Sequence, residues 1–195
     1  MKQQIKIVHY KAGNIASVQN ALQRLGIEAR LAVSPKDIQD ADKLIFPGVG
    51  HARPAMEILR QQGLDDAIRE FNGPVLGICL GMQLMTASSE EGNIRGLGLF
   101  SGKIKRFTGN LKVPHMGWNS LYALRGPLFK SVPENSHVYF VHSYYLPRGD
   151  QAIALCCYDQ PFTAAISHNQ FFGLQFHPEK SGKAGMQILQ NFIDL

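Results

Sequence analysis

No apolar run in the sequence approaches the roughly 18 residues that a membrane-crossing helix requires. Met1-Lys2-Gln3-Gln4 leads into a short strand-like segment rather than a signal-peptide core. Neither membrane insertion nor secretion is therefore expected. Cysteine is scarce. Cys79, Cys156 and Cys157 are an odd number, and the adjacent pair would point to opposite faces of a strand. A disulfide framework is not expected on those grounds, and a reducing cytoplasm fits. The seven histidines lack ligand-like clustering, which argues against a metal centre; His9, His51, His137 and His168 read as surface or packing residues. The net charge of +5 is not gathered into a stripe. Its densest stretch, Lys103, Lys105, Arg106 and Lys112, reads as a solvated face open to an acidic partner or a phosphorylated substrate, short of what a nucleic-acid site needs. Internal repeats, low-complexity tracts and long linkers are also missing, so one domain over residues 1–195 is expected.

What is present is an alternation of strand-like and helix-like segments. Residues 5–9, 28–33, 43–46 and 74–78 read as strands. Helical patterns occupy the stretch opened by Gly13-Asn14 and carried by Ile15, Val18, Ala21, Leu22 and Leu25, then 53–62 and 80–88. This rhythm predicts a mostly parallel sheet covered by helices. The character changes over 97–124, where glycines and alternation such as Lys103-Ile104-Lys105-Arg106-Phe107 suit antiparallel hairpins. Further strands are expected at 137–145, 151–158, 163–167 and 171–176, with a last helix over 181–193. The predicted class is α/β, a single domain whose parallel sheet carries an antiparallel extension.

Gly77-Ile78-Cys79-Leu80-Gly81 stands where an apolar strand gives way to a helical pattern, the position and spacing of a nucleophile elbow. Flanking glycines relieve crowding around the strained residue, and unpaired N–H groups at a helix start favour thiolate over thiol. A buried structural cysteine beside close-packing glycines is the alternative. Near the other end, a strand runs into His177-Pro178-Glu179. Residues two apart in extended backbone share a side, and the proline keeps its predecessor extended. Glu179 is then placed to hold one ring nitrogen while the other exchanges the thiol proton; a polar loop after a strand is the plainer alternative. Phe46-Pro47-Gly48-Val49-Gly50 follows the third strand, whose end lies on the same rim as Cys79 in a parallel sheet. Backbone N–H groups of Gly48, Val49 and Gly50 and of Leu80 are candidates for an oxyanion hole, and the glycines suit a peptide that flips between two states.

Pro-Gly-Val-Gly at 47–50, Gly-Ile-Cys-Leu-Gly-Met-Gln at 77–83 and His-Pro-Glu-Lys-Ser at 177–181 together resemble the class I, triad-type glutamine amidotransferases, with matching order over nearly the whole chain. Val113-Pro114-His115-Met116-Gly117-Trp118-Asn119 and Val141-His142-Ser143-Tyr144-Tyr145 resemble, within that family, the glutaminase subunits of imidazole glycerol phosphate synthases. The resemblance implies a flavodoxin-like α/β fold and hydrolysis of L-glutamine to glutamate and ammonia without a cofactor or metal. It also implies a heterodimer with a (β/α)8-barrel cyclase that takes the ammonia for histidine biosynthesis. By motif position it implies that Gln83, Glu91, Ser143 and Tyr144 bind glutamine, and that His115 and Trp118 lie near the partner. The start departs from the family pattern Asp-Tyr-Gly-x-Gly-Asn, reading His9-Tyr10-Lys11-Ala12-Gly13-Asn14.

Three other readings compete. One is a class I glutaminase serving anthranilate or pyridoxal phosphate synthesis, against which the His-Met-Gly-Trp-Asn and His-Ser-Tyr-Tyr segments stand. A second is a self-sufficient cysteine hydrolase of similar architecture. The third is a binding module that has kept the scaffold, which an intact Cys79, His177 and Glu179 disfavour. Ammonia released into water is protonated and lost, so weak glutaminase activity is expected until a partner docks.

Overall fold

Strands made wholly of buried residues have no solvent face and must run between two layers; the first, third and fourth strands of this chain are of that kind. The computed structural model describes residues 3–10 and 14–195. The Lys11 and Gly13 positions noted above lie outside the described residues. The first half alternates as expected: β1 (Ile5–Val8), α1 (Ile15–Arg24), β2 (Arg30–Ala32), α2 (Pro35–Gln39), β3 (Lys43–Gly48), α3 (Ala52–Gln61), α4 (Leu64–Glu70), β4 (Val75–Cys79) and α5 (Leu80–Leu84). There follow β5 (Thr86–Ser89), β6 (Ile94–Arg95), β7 (Phe100–Arg106), β8 (His115–Ser120), β9 (His137–His142), β10 (Tyr144–Pro147), β11 (Ala152–Tyr158), β12 (Gln160–His168), β13 (Phe171–Leu174) and α6 (Gly182–Ile193).

An 11-stranded sheet has the order β2-β1-β3-β4-β13-β12-β10-β7-β5-β6, with β11 paired to β12. The block from β2 to β13 is parallel, and β12 opens the antiparallel part. The chain leaves β1 for β2 and returns to lay β3 on the other side of β1. Such a reversal leaves a crevice at the strand C-terminal ends. Alternation sends Ile5, Ile7, Ile45, Leu76 and Ile78 to one face, against Val18 and Leu22 of α1 and Ile188, Leu189 and Phe192 of α6. Val8, Leu44, Phe46 and Val75 face the other way, against α2, α3 and α4.

Several elements differ from the sequence reading, among them helix α2, which starts at the Ser34 capping box and was not foreseen. The helix expected over 80–88 stops after one turn, because the Thr86 hydroxyl donates to the Gln83 carbonyl at 2.7 Å and the chain turns into β5. Helix α4 was not foreseen; it starts after Gly63, whose φ of 66° only glycine adopts freely. The segment 97–124 forms no hairpin of its own, since β7 pairs with β5 and β10 while β8 pairs with β9. The strand expected over 137–145 breaks at Ser143. Its first part, β9, forms a separate ribbon with β8, and its second part, β10, joins the large sheet.

Lys43 ties the sheet to the last helix. Its side chain is buried and donates to the Phe192 carbonyl at 3.3 Å and to the Ile193 carbonyl, both at the C-terminal end of α6. Lys43→Met should remove both of these hydrogen bonds and lower stability by about 2 kcal/mol. In a chain of this size that corresponds to a fall in Tm of roughly 4–8 °C, read by a thermal melt; an unchanged Tm would show that water replaces the ammonium.

Candidate active site

Strand β4 delivers Cys79 to the middle of the C-terminal rim, with Gly48 of β3 beside it in register and Leu174 of β13 level with Ile78. At φ 53°, ψ −109° Cys79 has a backbone conformation that non-glycine residues rarely adopt. Close packing makes the turn possible. A Cβ on Gly77 would lie 2.8 Å from the Met82 nitrogen, and one on Gly81 would collide with the Phe46 carbonyl. The thiol donates to the Val141 carbonyl at 3.9 Å, and the Gln175 amide donates to the sulfur at 3.7 Å.

The structure brings His177 and Glu179 together: Nδ1 lies 2.8 Å from Oε1, with both side chains almost fully buried. Proline between them starts a short 3₁₀ turn, so the two residues face each other across it. The His177 backbone is held on both sides. Its N–H donates to the Tyr139 carbonyl at 3.0 Å, and its carbonyl accepts the Ser181 hydroxyl at 2.6 Å; that hydroxyl in turn accepts from the Tyr139 N–H at 3.0 Å. Burial pulls the ring's pKa down, but the Cys79 sulfur and the Glu179 carboxylate pull harder the other way and raise it to about 10. Nε2 is buried and, among the described residues, closes no hydrogen bond. It is the ring nitrogen left free for proton exchange, because the carboxylate can only accept and therefore holds the proton on Nδ1.

Cys79 and His177 open into a cavity of about 390 Å³ that Val49, Gly50, Leu80, Gln83, Glu91, Ser143 and Tyr144 also line. A wider recess of about 620 Å³ lies between α1 and α6 behind Glu179, but no cysteine, serine or threonine lines it. Of the candidate catalytic, oxyanion and glutamine-binding residues, only Gly48 and Glu179 do not line the smaller cavity. Gly48 is wedged against the elbow instead: a Cβ there would sit 2.8 Å from Leu80 Cβ and 2.9 Å from the Gly81 nitrogen. Gly50 has φ 104° and open space where a Cβ would stand. Glu91 accepts the Ala52 N–H at 3.0 Å at the start of α3, and burial raises its pKa. Ser143 and Tyr144 border the cavity because the chain crosses there from one sheet to the other. No group of three or more His, Cys, Asp or Glu that could hold a metal occurs among the described residues.

Four residues support the site through contacts that the sequence does not show. Tyr10 donates its phenol to the Pro47 carbonyl at 3.1 Å and packs edge-on to Phe46, steadying the strand that leads to Gly48. Ser181 fixes the His177 backbone. Gln175 reaches the sulfur. His142, behind Ser143, donates from Nδ1 to the Tyr144 carbonyl at 2.8 Å, which leaves Nε2 as an acceptor for Nδ1 of His115 at 3.0 Å. His115 Nε2 then accepts from the Asn119 amide at 3.3 Å. Burial lowers the pKa of His115 to about 4 and that of His142 to about 3, so both rings are neutral around pH 7 and the directions hold. Within these contacts, only the period-two spacing of β9 and β13 is visible in the sequence.

Comparison with known proteins agrees with this geometry. The sequence model of the family "Glutamine amidotransferase class-I" matches residues 6–195. The imidazole glycerol phosphate synthase subunit HisH of Bacteroides fragilis is 49% identical, covering 98% of this chain and 99% of the relative. The protein of the same name from Pasteurella multocida is 48% identical, with 98% of each covered. Among solved structures, a putative GMP synthase component from Thermoplasma acidophilum superimposes with a TM-score of 0.77 at 20% identity, over 98% of this chain and 92% of the other. PurLQS from Thermotoga maritima gives 0.74 at 20% identity, over 100% and 99%. At these identities the structural likeness speaks for the fold alone.

Proposed function

The chain belongs to the class I glutamine amidotransferases, and from that premise we propose that it is the glutaminase subunit of an imidazole glycerol phosphate synthase. It hydrolyses L-glutamine to glutamate and ammonia, as one amidotransferase domain over residues 1–195. The observation that carries this is the strained Cys79 at the strand end, sharing one cavity with a histidine whose other nitrogen is held by a buried carboxylate. Full-length likeness to proteins named as subunits of that synthase supports the choice within the family.

In this reading the sulfur gives its proton to His177 Nε2 and attacks the carboxamide carbon of glutamine. The oxyanion is met by N–H groups of the 48–50 turn and of Leu80. His177 then protonates the departing nitrogen, the C–N bond breaks, and ammonia leaves a γ-glutamyl thioester on Cys79. Water, deprotonated by His177, releases glutamate. Gln83, Glu91 and the Ser143-Tyr144 segment hold the amino-acid end, Glu91 offering an acceptor for the ammonium group. The ammonia passes to a (β/α)8-barrel cyclase bound as a heterodimer. The exposed Met116 and Trp118 of β8, beside the cavity wall, suit that docking. No helix is long and apolar enough to cross a membrane among the described residues. Three unpaired cysteines are consistent with the cytoplasm.

The test is acid-quenched turnover of L-glutamine with mass spectrometry on the Cys79 peptide. A γ-glutamyl adduct supports the mechanism, whereas glutamate formation with no adduct, or turnover of peptides instead, would redirect it. Glu179→Gln should remove one of the two groups that raise the His177 pKa, lower that pKa, and reduce kcat by about 10²-fold or more. An NMR titration of the ring reads the first effect directly; an unmoved pKa would deny the carboxylate its role.

A further inference from the structure

A carbonyl oxygen can only accept a hydrogen bond, and this fixes the direction of a chain of buried side chains across the floor of the cavity. The Tyr144 carbonyl takes the Gln83 Nε2 group at 2.9 Å. With its amide so oriented, Gln83 presents the same nitrogen to Gln175 Oε1, also at 2.9 Å, and both its hydrogens are used. Gln175 is fully buried, and its Oε1 is committed to Gln83, so its Nε2 must be the atom 3.7 Å from Cys79 Sγ. Reversing either amide would set donor against donor or oxygen against oxygen. Strand pairing supplies the position: β13 runs parallel to β4 with Leu174 level with Ile78, so Gln175, just past the end of β13, follows alongside Cys79.

We propose that Gln175 is a further catalytic residue, whose amide, turned by Gln83 and the Tyr144 carbonyl, donates to the Cys79 thiolate and opposes the Val141 carbonyl that accepts from the thiol. The inference deepens the glutaminase reading and rests on it for its meaning, since it says how the attacking form of the sulfur is held before glutamine arrives. A neutral donor does this without adding a charge, which a substrate carrying both an ammonium and a carboxylate group would feel. The Tyr144 carbonyl also takes the His142 N–H, so the residue that borders the substrate is the junction between the sulfur and the β8–β9 ribbon.

The titratable groups around the sulfur are few. His177 approaches from beyond β13 with Glu179 behind it. Tyr10 comes from the end of β1, its phenol pKa raised by burial and by the sulfur's charge. His142 stands on β9, its pKa lowered by burial. Tyr10 and His142 are neutral throughout the working range, and Glu91, whose pKa burial raises, lines the same cavity.

The experiment is the pH dependence of Cys79 alkylation by iodoacetamide, followed on the Cys79 peptide by mass spectrometry so that the exposed Cys157 does not interfere. Gln175→Met keeps the volume and removes the donor. Its alkylation midpoint should rise by about one pH unit or more, with an unaltered circular dichroism spectrum. An unshifted midpoint in the folded variant overturns the proposal and leaves Gln175 a packing residue. If Gln175→Met does not fold, Gln83→Met, which keeps Gln175 but frees its amide to turn over, should shift the midpoint in the same direction by less; no shift there overturns it equally. Alkylation needs no glutamine, so a shifted midpoint in a chain that never releases glutamate would sink the glutaminase reading and spare this one.

Discussion

Replacing Cys79 with alanine should lower glutamate release from glutamine by on the order of 10⁴-fold or more while leaving the fold intact. Both halves follow from the same turn. The sulfur is the only thiol lining the cavity among the described residues, and a hydroxyl such as that of Ser143 is a far weaker nucleophile at neutral pH, so no second group takes over the attack. The strain at φ 53° belongs to the backbone and is held by the packing of Gly77 and Gly81, neither of which the substitution touches. Activity within tenfold of the parent would mean that water is activated directly and that no thioester forms.

The second large effect is expected from the partner. The isolated chain should turn glutamine over weakly, and a (β/α)8-barrel cyclase with its nucleotide ligand bound should raise kcat/KM by about 10²-fold or more, the scale of gaining one oxyanion donor. The structural ground lies in the 48–50 turn. Gly48 is wedged between Tyr10, Leu80 and Gly81, while Val49 is exposed and Gly50, at φ 104°, has free space around it. The turn therefore has one fixed end and one that can rotate a peptide into the cavity. Steady-state glutamate release with and without the partner measures the effect. Equal rates would favour a stand-alone hydrolase, and unchanged activation in Gly48→Ala and Gly50→Ala would remove the turn from the account.

The parallel half of the fold was readable because its inner strands β1, β3 and β4 are buried on both faces and therefore written as apolar runs set among amphipathic helices. The placing of Cys79, His177 and Glu179 was readable for a similar reason: an elbow and a His-Pro-Glu turn are local devices whose geometry follows from near neighbours. Gln175 was not, because its importance depends on which strand lies beside β4 and in what register. Tyr10 was equally hidden, since its partner, the Pro47 carbonyl, is reached only once β1 and β3 are side by side. The break at Ser143 left no mark either. Alternation runs on through 137–145, and nothing local says that the two halves pair with different sheets.

That break has a dynamic meaning. The β8–β9 ribbon shares no ladder with the large sheet, so its amides have an opening equilibrium of their own. It nevertheless supplies the Tyr139 carbonyl behind His177, the Val141 carbonyl beside the sulfur, and the His142 ring. A partner resting on Trp118 can thus be felt at the nucleophile as slower amide exchange in one ribbon, a loss of motion rather than a displacement, while the large sheet keeps every bond it had.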